Sequence, residues 1–124
     1  MTHYHCDHIG AADDARSLLD AEMYAAKTVA SLIRDGDEKA TSLDVGKAVC
    51  FYPKDFILKP CEVDVELSEG DLIKIGNMTM ETFETPGHCE GHLSFLLRGG
   101  ERKYLFGGDM VFWGGKILLQ NIHD

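Results

Sequence analysis

A change in the spacing of apolar residues near residue 63 constrains the fold of this chain more than any other feature of its sequence. Before it, residues 11–19, 27–34 and 38–47 combine helix-forming residues with the spacing of amphipathic helices. From Val63 onward, apolar and polar residues alternate with the period of a strand. Helices followed by a run of strands predict a layered α/β or α+β fold, with polar motifs at the strand ends.

Turn residues divide the second half of the chain into separate strands. The expected strands are residues 21–25, 63–67, 72–75, 78–84, 93–97, 103–106 and 116–119. Residues 49–60 contain two prolines and several aromatics, which predicts a loop that is long enough to cover a site. In the first helix, Leu18 and Leu19 are expected to face the core, and Gly36 is expected to end the second helix.

Length and composition are those of one globular domain. The 124 residues are 44% hydrophobic and 27% charged, so we expect residues 1–124 to form a single domain with one core. No apolar run approaches the ~20 residues that span a bilayer. Residues 1–10 lack the basic and apolar regions of a secretory signal. These features predict a cytoplasmic protein that does not cross a membrane.

The net charge excludes one class of partner. The chain carries a formal charge of −9 and has no cluster of lysine or arginine, whereas binding to a phosphate backbone requires concentrated positive charge. We therefore expect a small-molecule substrate and no nucleic acid. Two bound divalent cations would still give the site a local field that attracts an anionic substrate.

The four cysteines are expected to be free thiols. Cys6, Cys50, Cys61 and Cys89 form no CxxC pair, and nothing in the sequence indicates an oxidising compartment. Cys6 and Cys89 lie beside histidines that are candidate metal ligands, as described below. We expect both to be bystanders rather than ligands.

Three histidines and an aspartate stand within the first eight residues, as His3, His5, Asp7 and His8. In an extended segment, residues two apart point the same way, so His3 and His5 can bind one ion. Asp7 and His8, in the turn that follows, can face a second position. A solvated tail or the remnant of an affinity tag is the alternative, but tags lack an interposed acid. Imidazole and carboxylate ligands favour Zn²⁺ at an open catalytic site, with Fe or Mn as alternatives.

Two further motifs follow in the strand-rich half. Thr85-Pro-Gly-His88 places a tight turn directly before a histidine, and Phe106-Gly-Gly-Asp109 runs a strand into two glycines and a carboxylate. Taken alone, each is an ordinary turn. An aspartate at a strand end is nevertheless well placed to bridge two cations about 3.5–4 Å apart.

Together, HxHxDH at residues 3–8, TPGH at residues 85–88 and GGD at residues 107–109 resemble the metallo-β-lactamase superfamily, particularly its glyoxalase II-like branch. The resemblance covers residues 2–115. It implies a partial αββα sandwich and the hydrolysis of a thioester, ester or lactone by metal-activated water. Flavo-diiron oxidoreductases share the fold, but they carry a glutamate where this chain has His5.

The resemblance also implies a role for each motif residue. The implied metal ligands are His3, His5, Asp7, His8, His88 and Asp109, holding one or two Zn²⁺ ions. Three histidines, His3, His5 and His88, would hold the first metal. Asp7 and His8 would contribute to the second, and Asp109 would bridge both. Asp7 would also be the catalytic residue that orients the nucleophilic water.

The chain departs from the family pattern at both ends. Family members have strands before HxHxDH and a glycine-histidine pair after the bridging aspartate, whereas His123 lacks the preceding glycine. We therefore expect an incomplete domain that holds at most one metal tightly and forms a homo-oligomer through exposed strands. The alternative function is a catalytically inactive metal-binding or structural fragment of such a hydrolase.

The sequence predicts less specific roles for four residues near the motifs. His92, which follows the spacing GHxxGH, is expected to be a hydrogen-bond partner behind the ligands rather than a ligand itself. Tyr4, Phe112 and Trp113 flank the motifs. These aromatic side chains either line a substrate pocket or pack in the core, and the sequence leaves both alternatives open.

Overall fold

The computed structural model describes residues 1–112 and residue 114. Its elements, in chain order, are α1 (Cys6–Ile9), α2 (Ala12–Leu19), β1 (Tyr24–Ala26), α3 (Ala30–Asp35), α4 (Leu43–Ala48), β2 (Val65–Leu67), β3 (Leu72–Ile75), β4 (Met78–Glu84), β5 (Leu93–Arg98), β6 (Tyr104–Phe106) and a 3₁₀ turn (Gly108–Met110). The expected strand at residues 116–119, together with Trp113 and His123, lies outside the described residues. Apart from the short helix α1, which the sequence predicts as a turn, the elements confirm the order of helices and strands that the apolar spacing predicts.

The strands form two sheets. β1 and β2 pair in parallel, and β3, β4, β5 and β6 form an antiparallel meander in that order. The register places Phe95 of β5 between Thr82 of β4 and Phe106 of β6. Thr82 and Phe95 are buried, so this face of the meander is turned towards the core. Because β4 and β6 are both antiparallel to β5, the TPGH turn after β4 and the GGD turn after β6 lie at the same end of the meander.

The core joins helices, strands and the N-terminal segment. Its buried apolar side chains include Ile9, Ile33, Leu43, Val63 and Leu93. Burial of such side chains contributes roughly 1.5–3 kcal/mol each, which exceeds what single hydrogen bonds contribute. The N-terminal segment is fastened to the strands by backbone hydrogen bonds, including one of 2.7 Å from the N–H of Leu93 to the carbonyl of Thr2.

The expectation for the apolar face of α2 is wrong. Leu18 and Leu19 are 85% and 70% exposed, and Ala12 is the one residue of this helix that is buried. A side chain is buried only where another element packs over it, and α2 is held instead by ion pairs at its flank. By contrast, Gly36 ends α3 as expected, with φ of 60°. Within the described residues, no helix combines the length and apolar character needed to cross a membrane.

Acid is expected to weaken the attachment of α2. The Asp64 carboxylate accepts hydrogen bonds from Arg16 Nε (3.0 Å), Arg16 Nη2 (2.6 Å) and the backbone N–H of Met23 (2.8 Å). The Arg16 guanidinium, followed by the Met23 N–H, lowers the pKa of Asp64 to about 2. The stabilisation is therefore complete above the ordinary carboxyl pKa of ~3.9 and is lost as the pH falls from there through about 2.

Urea midpoints at pH 6 and pH 2.5 test this expectation. Asp64→Asn is expected to lower the midpoint at pH 6 and to reduce the further drop between the two pH values. Asp14→Asn, at the more exposed pair with Lys59, is the matched control and is expected to change little. An unchanged pH dependence in Asp64→Asn would contradict the expectation.

Strand β6 leaves apolar side chains in contact with solvent. Tyr104, Leu105 and Phe106 are 53%, 60% and 48% exposed, and within the described residues no strand pairs with the edge of β6 that faces away from β5. Unpaired apolar edges promote pairing with another chain. We predict reversible self-association at micromolar concentration, measured by sedimentation velocity. Leu105→Lys is expected to weaken it and Leu18→Lys to leave it unchanged, whereas a monomer at every concentration would contradict it.

Candidate metal centre

The first group of candidate ligands comes from two distant parts of the chain. His3 and His5 lie on the extended segment before α1, where alternate residues share a side. His88 lies in the turn after β4, which Pro86 and Gly87 shape. The potential ligand atoms of these three histidines all lie within 4.8 Å of one another. His88 Nε2 is 2.9 Å from His5 Nδ1, so two ring nitrogens already converge on one point.

The second group shares His3 with the first and adds His8 and Asp109. The short helix α1 turns His8 back towards His3, with ring centroids 4.1 Å apart. The 3₁₀ turn after β6 carries Asp109, whose Oδ1 lies 3.2 Å from His8 Nε2 and whose Oδ2 lies 3.6 Å from His88 Nε2. Asp109 therefore contacts a histidine of each group, which is the position that a bridging carboxylate requires.

Asp7 belongs to neither group. Its side chain is 57% exposed, and its Oδ2 lies 3.7 Å from His8 Nε2. The hydroxyl of Tyr52 donates a hydrogen bond of 3.4 Å to Asp7 Oδ1. Burial and the nearby Asp7 charge raise the pKa of Tyr52 to about 12, so this hydroxyl keeps its proton at neutral pH. Asp7 is thus held at the rim of the centre, where it lines a cavity.

His3 has an unusual environment. It is 1% exposed, and its Nε2 is one of two described buried side-chain atoms without a hydrogen-bond partner. Burial, followed by the neighbouring His8 and His5 rings, lowers the pKa of His3 to about 2. The ring is therefore neutral. Its Nδ1 lies 3.2 Å from Thr2 Oγ1, and in the tautomer whose Nδ1–H donates to that hydroxyl, Nε2 keeps the unshared electron pair. A buried acceptor without a partner is costly, and a cation at this point would satisfy it, so the residues present fit a metal ion.

His92 supports the centre from behind. Its Nε2 accepts a hydrogen bond of 3.3 Å from the backbone N–H of Asp109, so its Nδ1 carries the proton and donates to Thr85 Oγ1 at 2.9 Å. Burial lowers the pKa of His92 to about 4, which keeps this ring neutral. Because both ring nitrogens contact protein groups, the structure confirms the expected role as a hydrogen-bond partner rather than a ligand.

The cysteines beside the motifs stay out of both ligand groups. All four thiols are free, as expected. The sulfur of Cys6 lies 3.9 Å from Thr41 Oγ1, and burial raises the pKa of Cys89 to about 12. A protonated thiol is a poor metal ligand, because binding requires the thiolate. Of the flanking aromatics, Tyr4 is buried in the core, and Phe112 is 41% exposed.

A cavity of about 350 Å³ opens beside the ligand groups. It is lined by His5, Cys6, Asp7, Thr41, Ser42, Val45, Gly46, Val49, Phe51, Tyr52 and Asp109. The sequence predicts that residues 49–60 cover a site, and Val49, Phe51 and Tyr52 confirm this for the start of the loop. The sequence does not identify Tyr52 or the residues of α4 as part of the cavity lining. No spacing signal could identify them, because only the return of the chain over α1 places them there.

Comparisons with known proteins find relatives over nearly the whole chain. The family model of the metallo-beta-lactamase superfamily matches residues 1–121. The probable metallo-hydrolase YqgX of Bacillus subtilis is 31% identical over 135 aligned positions, covering 100% of this chain and 59% of the relative. A hydroxyacylglutathione hydrolase of Rhodopseudomonas palustris is 27% identical over 112 residues, covering 90% of this chain and 32% of the relative. The chain spans about half the length of the first curated relatives it matches.

A solved structure shows the same fold. The MIM-2 metallo-beta-lactamase superposes with a TM-score of 0.68 at 24% identity, covering 89% of this chain and 38% of its own. This likeness confirms the expected fold class, with helices layered against strands in two sheets. Because the family model extends over nearly the whole sequence, the chain belongs to the metallo-β-lactamase superfamily.

Proposed function

We propose that this chain carries the metal centre of a zinc-dependent hydrolase that cleaves a thioester, ester or lactone with activated water. The observation that carries the proposal is the buried Nε2 of His3, which has no hydrogen-bond partner and is surrounded by further imidazoles and a carboxylate. A purely structural histidine cluster would pair its ring nitrogens with protein groups, as His92 does. His3 pairs only its Nδ1, with Thr2 Oγ1, and leaves Nε2 without a partner at the shared corner of both ligand groups.

In this proposal, His3, His5 and His88 would hold the first zinc ion, Asp7 and His8 would contribute to a second, and Asp109 would contribute to both. Zinc in such a site supplies Lewis acidity and lowers the pKa of a bound water towards ~7. Desolvation, followed by the His88 ring, lowers the pKa of His5, so this ring too is neutral at the pH where ligands must be deprotonated. Fe or Mn is the alternative metal, to be distinguished by competition with Zn²⁺.

Asp7 is the proposed catalytic residue. Its carboxylate lies outside both ligand groups and faces the cavity, where one oxygen accepts the hydrogen bond from Tyr52. The other oxygen, Oδ2, lies 3.7 Å from His8 Nε2, so a water molecule bound beside the second ligand group would be within its reach. In that position it can accept a proton from the water and orient the oxygen for attack on a carbonyl carbon. No serine or cysteine nucleophile is required.

The substrate class is supported by the relatives. One is a probable metallo-hydrolase, and another is a hydroxyacylglutathione hydrolase. A second candidate function is a metal-binding segment without turnover, in which the histidine and carboxylate groups hold an ion but do not hydrolyse a substrate. Metal binding without hydrolysis would distinguish this candidate from the enzyme.

The test combines zinc content after equilibrium dialysis with the hydrolysis of a simple acyl thioester by the full chain. Wild type is expected to retain zinc and to release thiol. His5→Ala is expected to lose both, and Asp7→Asn is expected to retain the zinc of the first group while losing at least about 100-fold in kcat, as general-base variants typically do. Asp55→Asn, at an exposed aspartate, is the matched control. Full activity in Asp7→Asn would contradict its catalytic role.

A further inference from the structure

Three exposed apolar side chains form one side of the cavity beside the metal centre. Val45, Val49 and Phe51, here called the apolar wall, are 49%, 69% and 75% exposed. Val45 and Val49 are four residues apart on α4 and its C-terminal cap, so they lie on one face of the helix. Contiguous apolar groups that face solvent next to a chemical centre mark binding surfaces more often than accidents of composition.

The apolar wall is held in a defined position relative to the centre. The ring of Phe51 packs edge-on against the ring of Tyr52, with centroids 5.1 Å apart. The hydroxyl of Tyr52 donates a hydrogen bond to Asp7. Tyr52 in turn stacks on Phe56. It also lies so close to Gly46 that a Cβ there would be 2.7 Å from its ring. The wall, Tyr52 and Asp7 therefore form one packed unit.

The charge of the cavity restricts what can bind against this wall. Among the described residues, no lysine or arginine lines it; its polar lining comes from carboxylates, hydroxyls, one thiol and one imidazole. An anionic group placed on the wall would meet only apolar carbon and would lose its hydration without compensation. An uncharged hydrocarbon group, in contrast, gains about 25 cal/mol for each Å² that it removes from water.

We propose that the apolar wall is the binding site for the uncharged aliphatic or aromatic acyl group of the substrate, whose carbonyl then lies at the metal centre. This inference deepens the proposed function and rests on it for the identity of the reacting bond. The cavity volume of about 350 Å³ is at the low end for ligand pockets, which commonly measure 300–1,000 Å³, so it suits one short acyl group. We therefore expect the site to prefer neutral acyl groups to acyl groups that carry a carboxylate.

Binding of a neutral probe tests the wall without relying on turnover. Hexan-1-ol, titrated into the metal-free chain, is expected to produce saturable NMR shifts at the amides of Val45, Val49 and Phe51. Phe51→Lys is expected to weaken this binding at least about threefold by placing a charge on the wall. Leu19→Lys is the matched control, because Leu19 is 70% exposed but lies on α2, outside the cavity. The absence of saturable shifts at the wall would overturn the inference.

Turnover gives an independent second readout. With zinc bound, kcat/KM is expected to rise about two- to fourfold for each methylene from acetyl to hexanoyl thioester, since each methylene leaves water at the wall. The succinyl thioester is expected to react more slowly than the butyryl thioester, and Phe51→Lys to reverse that order. Hydrolysis that is indifferent to acyl length and to Phe51→Lys would overturn the inference. If no thioester is cleaved while hexan-1-ol still binds at the wall, the proposed reaction fails and the binding site stands.

Discussion

Zinc is expected to raise the melting temperature of the metal-free chain by about 10 °C when its free concentration is about one hundred times the dissociation constant. A ligand that binds only the folded state at that excess adds about 2.7 kcal/mol to the free energy of unfolding. For a chain of 124 residues, each kcal/mol corresponds to about 4 °C. Removal of the ion with EDTA is expected to reverse the shift. Differential scanning calorimetry measures both.

The variant His3→Leu sharpens this prediction. Leucine removes the buried nitrogen that has no partner, whose burial costs roughly 1–3 kcal/mol, and gives up only the contact of 3.2 Å between His3 Nδ1 and Thr2 Oγ1, worth about 0.5–1.5 kcal/mol. The metal-free variant is therefore expected to melt at or above the temperature of the metal-free wild type, yet to show no response to zinc. Mg²⁺, which prefers oxygen ligands, is the control ion and is expected to leave both proteins unchanged. An equal zinc shift in His3→Leu would show that His3 is not a ligand.

Gly108→Ala is expected to lower the free energy of unfolding by roughly 2–5 kcal/mol and to abolish tight zinc binding. Gly108 has φ of +49°, and a Cβ there would lie 2.6 Å from His92 Nε2 and 2.9 Å from Thr2 Cβ. Overpacking costs about 1–3 kcal/mol and a left-handed non-glycine residue about 1–2 kcal/mol. Relief of the clash would move Asp109, which directly follows Gly108 and contacts His8 and His88.

The neighbouring glycine supplies the control. Gly107 has no left-handed φ, and a Cβ there would meet only Val111, at 3.7 Å and beyond. Gly107→Ala is therefore expected to keep wild-type stability, within about 0.5 kcal/mol, and wild-type zinc content. Urea unfolding and metal analysis of the two variants side by side make the comparison. Equal free energies of unfolding and equal zinc contents in the two variants would contradict the prediction, because the turn would then tolerate a Cβ at residue 108 without displacing Asp109.

Local spacing was enough to predict those parts of the site that depend on a few adjacent residues. His3 and His5 share a side because extended backbone alternates, and the Pro86-Gly87 turn explains the projection of His88. The period-two pattern also predicted β4 at its observed bounds, residues 78–84. Each of these features follows from backbone sterics within one short segment.

Features that depend on long-range packing were not predictable in the same way. The apolar spacing of α2 placed Leu18 and Leu19 inward, but no described element covers them. The contact between Tyr52 and Asp7 joins residues far apart in the chain, and it depends on how residues 49–60 return over α1. Sequence periodicity describes which face of an element is apolar, and it carries no information on which partner, if any, will cover that face.

The sequence by itself determined the family, the order of helices and strands, and the histidines and carboxylates that are the candidate ligands, because motif spacing and backbone period are local properties. Only the tertiary structure decided that His3 is shared by two ligand groups, that Asp109 lies between His8 and His88, and that an apolar wall stands beside them. Side chains from distant parts of the chain converge because the core packs in one way, and that packing depends on all of the core residues together.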